Sequence, residues 1–152
     1  MAETEPPKAS IVQNLIAAFD VIARRVTVEN AFSFTPTSFW QAVLASWGFG
    51  LFMTLPFVHL GTDFLALYGV SSLVSLLLYA LIVWHLLVWW RRSDKYLRFV
   101  IPFFWLYALQ TVLFGLVTIL MFMTGIVLLQ IFVLPIAIWI LVWQFRIARS
   151  QL

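Results

Sequence analysis

The feature that leaves this chain the fewest choices is the length of its uncharged apolar runs. From Phe64 to Trp90 about 27 residues pass without Asp, Glu, Lys or Arg, and from Phe99 to Phe145 about 50 do. A bilayer core is crossed by roughly 20 helical residues. In hydrocarbon every backbone amide must bond within the protein, so such runs are transmembrane helices. Composition agrees: 64% of the 152 residues are hydrophobic and 10% charged, against about 45–50% and about 25% in soluble domains. The class is all-α: a polytopic transmembrane four-helix bundle preceded by an N-terminal amphipathic interfacial helix.

Residues 1–9 read as a disordered cytoplasmic tail. They are polar, acidic and proline-bearing, the reverse of a cleavable signal, so the first span is expected to act as an internal signal. Residues 10–37 form an amphipathic helix and a linker. Ile11, Leu15, Phe19, Ile22 and Val26 recur at helical spacing, joined by Val12 and Ile16, while Gln13, Asn14, Asp20 and Arg24 fall elsewhere. Ser10 is its expected N-cap, and Asp20 and Arg24 are expected i,i+4 partners. The helix either lies at the headgroup level or docks its apolar face on the bundle.

The membrane domain covers 38–147, with spans at about 38–57, 63–90, 97–122 and 126–145, and 148–152 form a short cytoplasmic tail. Thr35-Pro36 supplies a capping hydroxyl before a proline suited to the first helical position, and Ser38 with Gln41 offers an alternative capping box. Pro56 and Gly61 end the first span, and Thr62 or Asp63 is expected to cap the second. Because a single span cannot be about 50 residues long, a turn at Met123-Thr124-Gly125 must divide the last run in two.

Four spans put all nine cations, Lys8, Arg24, Arg25, Arg91, Arg92, Lys95, Arg98, Arg146 and Arg149, on the side shared by both termini. The positive-inside rule makes that side the cytoplasm of a bacterial inner membrane, with Trp40, Trp89, Trp90, Tyr96 and Trp143 as its aromatic belt. The cations sit at helix ends without interleaved aromatics, so no nucleic-acid partner is expected.

Lipid supplies no hydrophobic drive for helix association, so small and hydrogen-bonding residues mark packing faces. Ala42, Ser46, Gly50 and Thr54 recur every fourth residue in the first span, a ladder that lets another backbone approach. The second carries Tyr68, Ser72, Ser75 and Tyr79 on one arc. The third carries Tyr107, Gln110, Thr111 and Thr118, and the fourth repeats Gln130, Ala137 and Gln144. Unpaired polar groups are costly in hydrocarbon, so these stripes are expected to converge on interhelical hydrogen bonds or on a polar pocket.

His85 is the one histidine inside a span and the one candidate cofactor ligand. A haem would want a second axial ligand at similar depth, and His59 lies a membrane away, so no cofactor is predicted; His59 and Asp63 are too few ligands for a metal. With no cysteine, disulfides, thiol redox chemistry and thiolate metal sites are excluded, as are the quinone-linked disulfide-forming four-helix enzymes. No Asp, Glu, Lys or Arg lies in the interior of a span, unlike the small multidrug transporters with their membrane glutamate, which disfavours a proton-driven exporter. No nucleophile elbow, HExxH or clustered Asp motif occurs.

Phe32, Phe34, Thr35, Ser38, Phe39 and Trp40, running into the first span, resemble small Yip1-like bacterial membrane proteins of the alphaproteobacterial kind. The resemblance covers the stretch 24–40 and implies a membrane-organising or trafficking-type protein without a defined active site. The expectation is a non-enzymatic scaffold, assembly factor or accessory subunit partnered by lipid and by other membrane subunits or itself. A lipid- or small-molecule-handling protein with a polar pocket, or an electron-transfer anchor using His85, are the alternatives.

Overall fold

The computed structural model describes residues 10–151, and the expected tail at 1–9 lies outside them. Regular structure among the described residues is entirely helical: α1 (Ile11–Ile22), α2 (Val28–Ala31), α3 (Pro36–Thr54), α4 (Thr62–Trp89), α5 (Tyr96–Thr124) and α6 (Val133–Gln151), with 3-10 turns at Leu55–Leu60, Ser93–Lys95 and Val127–Phe132.

Local chemistry sets most of the ends. Ser10 and Gln13 exchange side-chain-to-backbone hydrogen bonds at the start of α1, a complete capping box. Thr35 accepts from the Ser38 N–H before Pro36 at the start of α3. Gly125, with φ +68, closes α5 in the left-handed conformation glycine adopts freely.

Four expectations need correction. First, α1 stops at Ile22 and does not run on to Val26: Arg24 takes φ +58 and the Arg25 N–H reaches back to the Asp20 carbonyl at 2.9 Å. This closure turns the chain and brings the Asp20 carboxylate to Arg25, at 3.5 Å, and not to Arg24. Second, neither Thr62 nor Asp63 caps α4; Gly61, with φ +107, precedes it and no side chain caps the first turn. Third, the last helix begins at Val133, because a 3-10 turn intervenes and Pro135 suits a first helical turn. Fourth, that helix continues through Gln151, so 148–151 are helical and not a tail.

Among the described residues three helices are long and apolar enough to cross a membrane: Thr62–Trp89, Ser93–Thr124 and Val133–Ser150. The expected first span, α3, is not among them, since Pro36, Gln41, Ser46, two tryptophans and two glycines dilute its hydropathy. It is nonetheless central in the packing. Phe39 lies 6.1 Å from Tyr96 ring to ring at one end, and Met53 lies against Gly115 at the other, so α3 runs alongside α5 in the same direction. Opposite in direction, α4 meets them through Tyr79 stacked on Phe103 at 4.4 Å and Trp84 edge-on to Tyr96 at 5.1 Å. Its buried seam is Gly69, Leu76, Ala80, Val83 and Leu87, a three-and-four spacing, while Leu67, 72% exposed, and Leu78 point away. Exposed aliphatic surface on that scale suits lipid and not water.

The core sits toward one end, where Val43, Val100, Ile101, Phe104, Trp105 and Leu106 are buried with α1 across them. Helix α1 has three faces: Ala18, Val21 and Ile22 dock on the bundle, Val12, Ile16 and Phe19 are exposed, and Gln13 and Asp20 lie on the third. Docking and an outward apolar face coexist because the stripe is wider than the contact. The basic side chains collect at this same end: Arg24 and Arg146 lie over Trp143, and Arg98 over Phe34.

Candidate functional site: a polar slot among three helices

The small-residue ladder is where α3 meets its neighbours. Ala42, Ser46, Gly50 and Thr54 are all buried, and Ser46 donates to the Phe104 carbonyl of α5 at 2.8 Å. Beside it, the Trp47 indole N–H donates to the Gly69 carbonyl of α4 at 2.8 Å, a bond the sequence reading did not anticipate.

Farther from the basic end the three helices diverge around a slot of about 330 Å³. Gly50, Met53, Thr54 and Phe57 line one wall, Tyr68 of α4 a second, and Tyr107, Gln110, Thr111, Phe114, Gly115 and Thr118 of α5 the third. Seven of the expected polar and small positions on α4 and α5 and on the ladder's outer half thus share one space. Two glycines make room for it: a Cβ on Gly50 would sit 3.6 Å from the Tyr68 hydroxyl, while one on Gly115 would collide with Met53.

The polar stripes do not bond to each other as expected. Ser72 donates to the Gly69 carbonyl and Ser75 to that of Ser71, within α4. Thr111 and Thr118 donate to the Tyr107 and Phe114 carbonyls, within α5. A hydroxyl on a one-carbon stem reaches the carbonyl three or four residues back more easily than another helix, which is why Ser and Thr settle there. Tyrosine and glutamine are too long for that. The Tyr68 and Tyr107 hydroxyls and the Gln110 amide line the slot and have no hydrogen bond among the described residues.

The remaining candidates lie elsewhere. Tyr79 is stacked on Phe103 outside the slot. The His85 ring Nδ1–H donates to the Leu81 carbonyl at 2.8 Å, and the residue is exposed on the outer side of α4, away from the slot. The side chains of Gln130 and His59 fall outside the described residues. Among the described residues no three His, Cys, Asp or Glu side chains cluster as metal ligands would. No protein-family model, curated protein or solved structure matches this chain.

Gly115 is the site residue missed in the sequence. It is the lone glycine inside the third apolar run and stands seven residues after buried Ala108, a small-residue spacing as regular as that of the first span.

Proposed function

We propose that this is a non-enzymatic multi-pass protein of a bacterial inner membrane that holds a small polar solute or a lipid headgroup in the slot among α3, α4 and α5. One observation carries the reading: two phenol hydroxyls and a carboxamide point into one space without protein partners, while the shorter hydroxyls around them are satisfied. Gln110 stands at the midpoint of α5, roughly 20 Å along a helix rising about 1.5 Å per residue. At that depth an unpaired amide costs on the order of several kcal/mol in hydrocarbon, so a hydrogen-bonding guest is the economical way to retain it.

The slot sits in a membrane if α3 also crosses. At about 1.5 Å per residue its 19 residues reach roughly 28 Å, near the roughly 30 Å core, and Trp40, Leu44 and Phe52 turn exposed apolar surface outward. Four crossings then place both termini with the basic end, in the cytoplasm. The scaffold or accessory-subunit reading draws on the same slot, with a partner helix supplying the missing hydrogen bonds.

The deciding variant is Gln110→Leu, purified in mild detergent and examined by native mass spectrometry and thermal denaturation. A guest present on the wild type and absent from the variant, at equal or higher stability, is the expected result. Loss of stability together with loss of a copurifying subunit, and no small guest on the wild type, would replace the slot reading with the scaffold.

A further inference from the structure

We infer that the basic end carries a second site, built by Arg24, Arg25 and Arg146 around Trp143, for the phosphate group of an anionic ligand. A cavity of about 490 Å³ opens there between the turn that follows α1 and the last turns of α6. The Arg24 guanidinium carbon lies 5.7 Å from the Trp143 ring centroid and that of Arg146 lies 5.2 Å from the same ring. Two guanidinium groups held against one indole beside a cavity present a concentration of positive charge that an anion would neutralise.

The protein does not supply that anion. Among the described residues the one ion pair is Arg25 with Asp20; Glu29 lines the cavity but pairs with neither Arg24 nor Arg146. The Thr27 hydroxyl, also on the wall, caps nothing and is free to donate. Guanidinium forks match phosphate oxygens two at a time, and stacking on an aromatic ring fixes their plane, which is why arginine is preferred for this recognition. A carboxylate would satisfy fewer of these donors.

Arg24 occupies φ +58, as Arg91 does after α4, a conformation in which glycine is relaxed and a side chain is strained; the turn at Arg24 sets its guanidinium against Trp143.

Two sources carry the group. Exposed Trp139 lies one turn along α6 from Trp143 on the cavity's own face, where the acyl chains of a lipid whose phosphodiester sits among the arginines would lie, and basic pockets at this membrane level favour such headgroups. A soluble phosphate would use the same forks without the chains.

The test uses the full chain in nanodiscs of phosphatidylcholine alone or mixed with phosphatidylglycerol, with retained lipid read by native mass spectrometry. Arg24→Gln and Arg146→Gln should each lower phosphatidylglycerol retention about fivefold, the loss of roughly one guanidinium at a membrane surface. Arg149→Gln, outside the cavity, should leave retention unchanged. Arg24→Gly should lose the lipid equally while melting no lower than wild type, since it relieves the backbone. In phosphatidylcholine alone, inorganic phosphate that raises the melting temperature of wild type and not of Arg24→Gly would assign the site to a soluble phosphate. Equal loss from Arg149→Gln and Arg146→Gln, or wild type binding neither probe better than Arg24→Gly, would overturn the site.

Discussion

Gly115→Ala tests the closest approach in the molecule. An alanine Cβ there would stand 2.9 Å from the Met53 Cβ and nearer still to its Cγ and Sδ, where carbon atoms prefer about 3.5–4.0 Å. The sulfur and Cγ can swing aside, but the Met53 Cβ moves only with its backbone, so α3 and α5 must part by roughly half an ångström or more. Overpacking of this kind costs about 1–3 kcal/mol, partly offset by the gain of about 1 kcal/mol when alanine replaces a helical glycine. A net loss of about 0–2 kcal/mol is expected when detergent-solubilised protein is titrated with SDS and followed by circular dichroism. In a Met53→Ala background the Cγ and Sδ collisions vanish, and the cost of Gly115→Ala should fall by about 1 kcal/mol, a coupling ordinary for touching residues. Strict additivity, or a Gly115→Ala protein more stable than wild type, would refute the close packing of α3 on α5.

Ser46→Ala removes a buried interhelical hydrogen bond and should cost about 0.6–2 kcal/mol by the same titration, whereas Ser75→Ala removes a bond within its own helix and should cost about nothing. Gly50→Ala should be tolerated, because its Cβ meets the Tyr68 hydroxyl at 3.6 Å; Gly50→Leu should fill the slot, displace any guest and destabilise more than Phe52→Leu on the exposed side of α3, and equal melting temperatures for the two leucine variants would contradict this. Reporter fusions after Leu152 and between Arg91 and Lys95 should report cytoplasm and those beside Gly61 and Gly125 the other side; a cytoplasmic report at Gly61 would mean that α3 does not cross.

The all-helical class and the placement of its long helices were legible because both follow from local rules: uncharged length, capping hydroxyls, and glycine where φ turns positive. Gly125 illustrates this, since a sharp break had to lie there once a span of about 50 residues was excluded. The hydrogen-bond partners were not legible. Periodicity places Thr111 and Gln110 side by side on one helix but cannot tell that the first bonds its own backbone and the second faces a space; that depends on stem length and on how far α3 stands off. The strained Arg24 was equally hidden, because arginine carries no signal for the left-handed conformation, and the turn it makes moved Asp20 to a different partner.

The two ends of the bundle are packed differently. Toward the basic end, Trp105, Phe104, Ile101 and Val43 are packed out of contact with solvent and α1 closes over them. Toward the other, Gly50 and Gly115 replace bulk, and both 3-10 segments of six residues, Leu55–Leu60 and Val127–Phe132, flank glycine turns. Such segments hold their backbone less firmly than α-helix, and regions with few buried apolar contacts open at lower free energy than the core. On the proposed reading, a slot that exchanges a guest with the membrane needs local opening that leaves the rest folded. Placing it around Gly50 and Gly115, with Ser46 and the aromatic core between it and the arginines, would let the slotted end open while the basic end keeps α3, α4 and α5 in register.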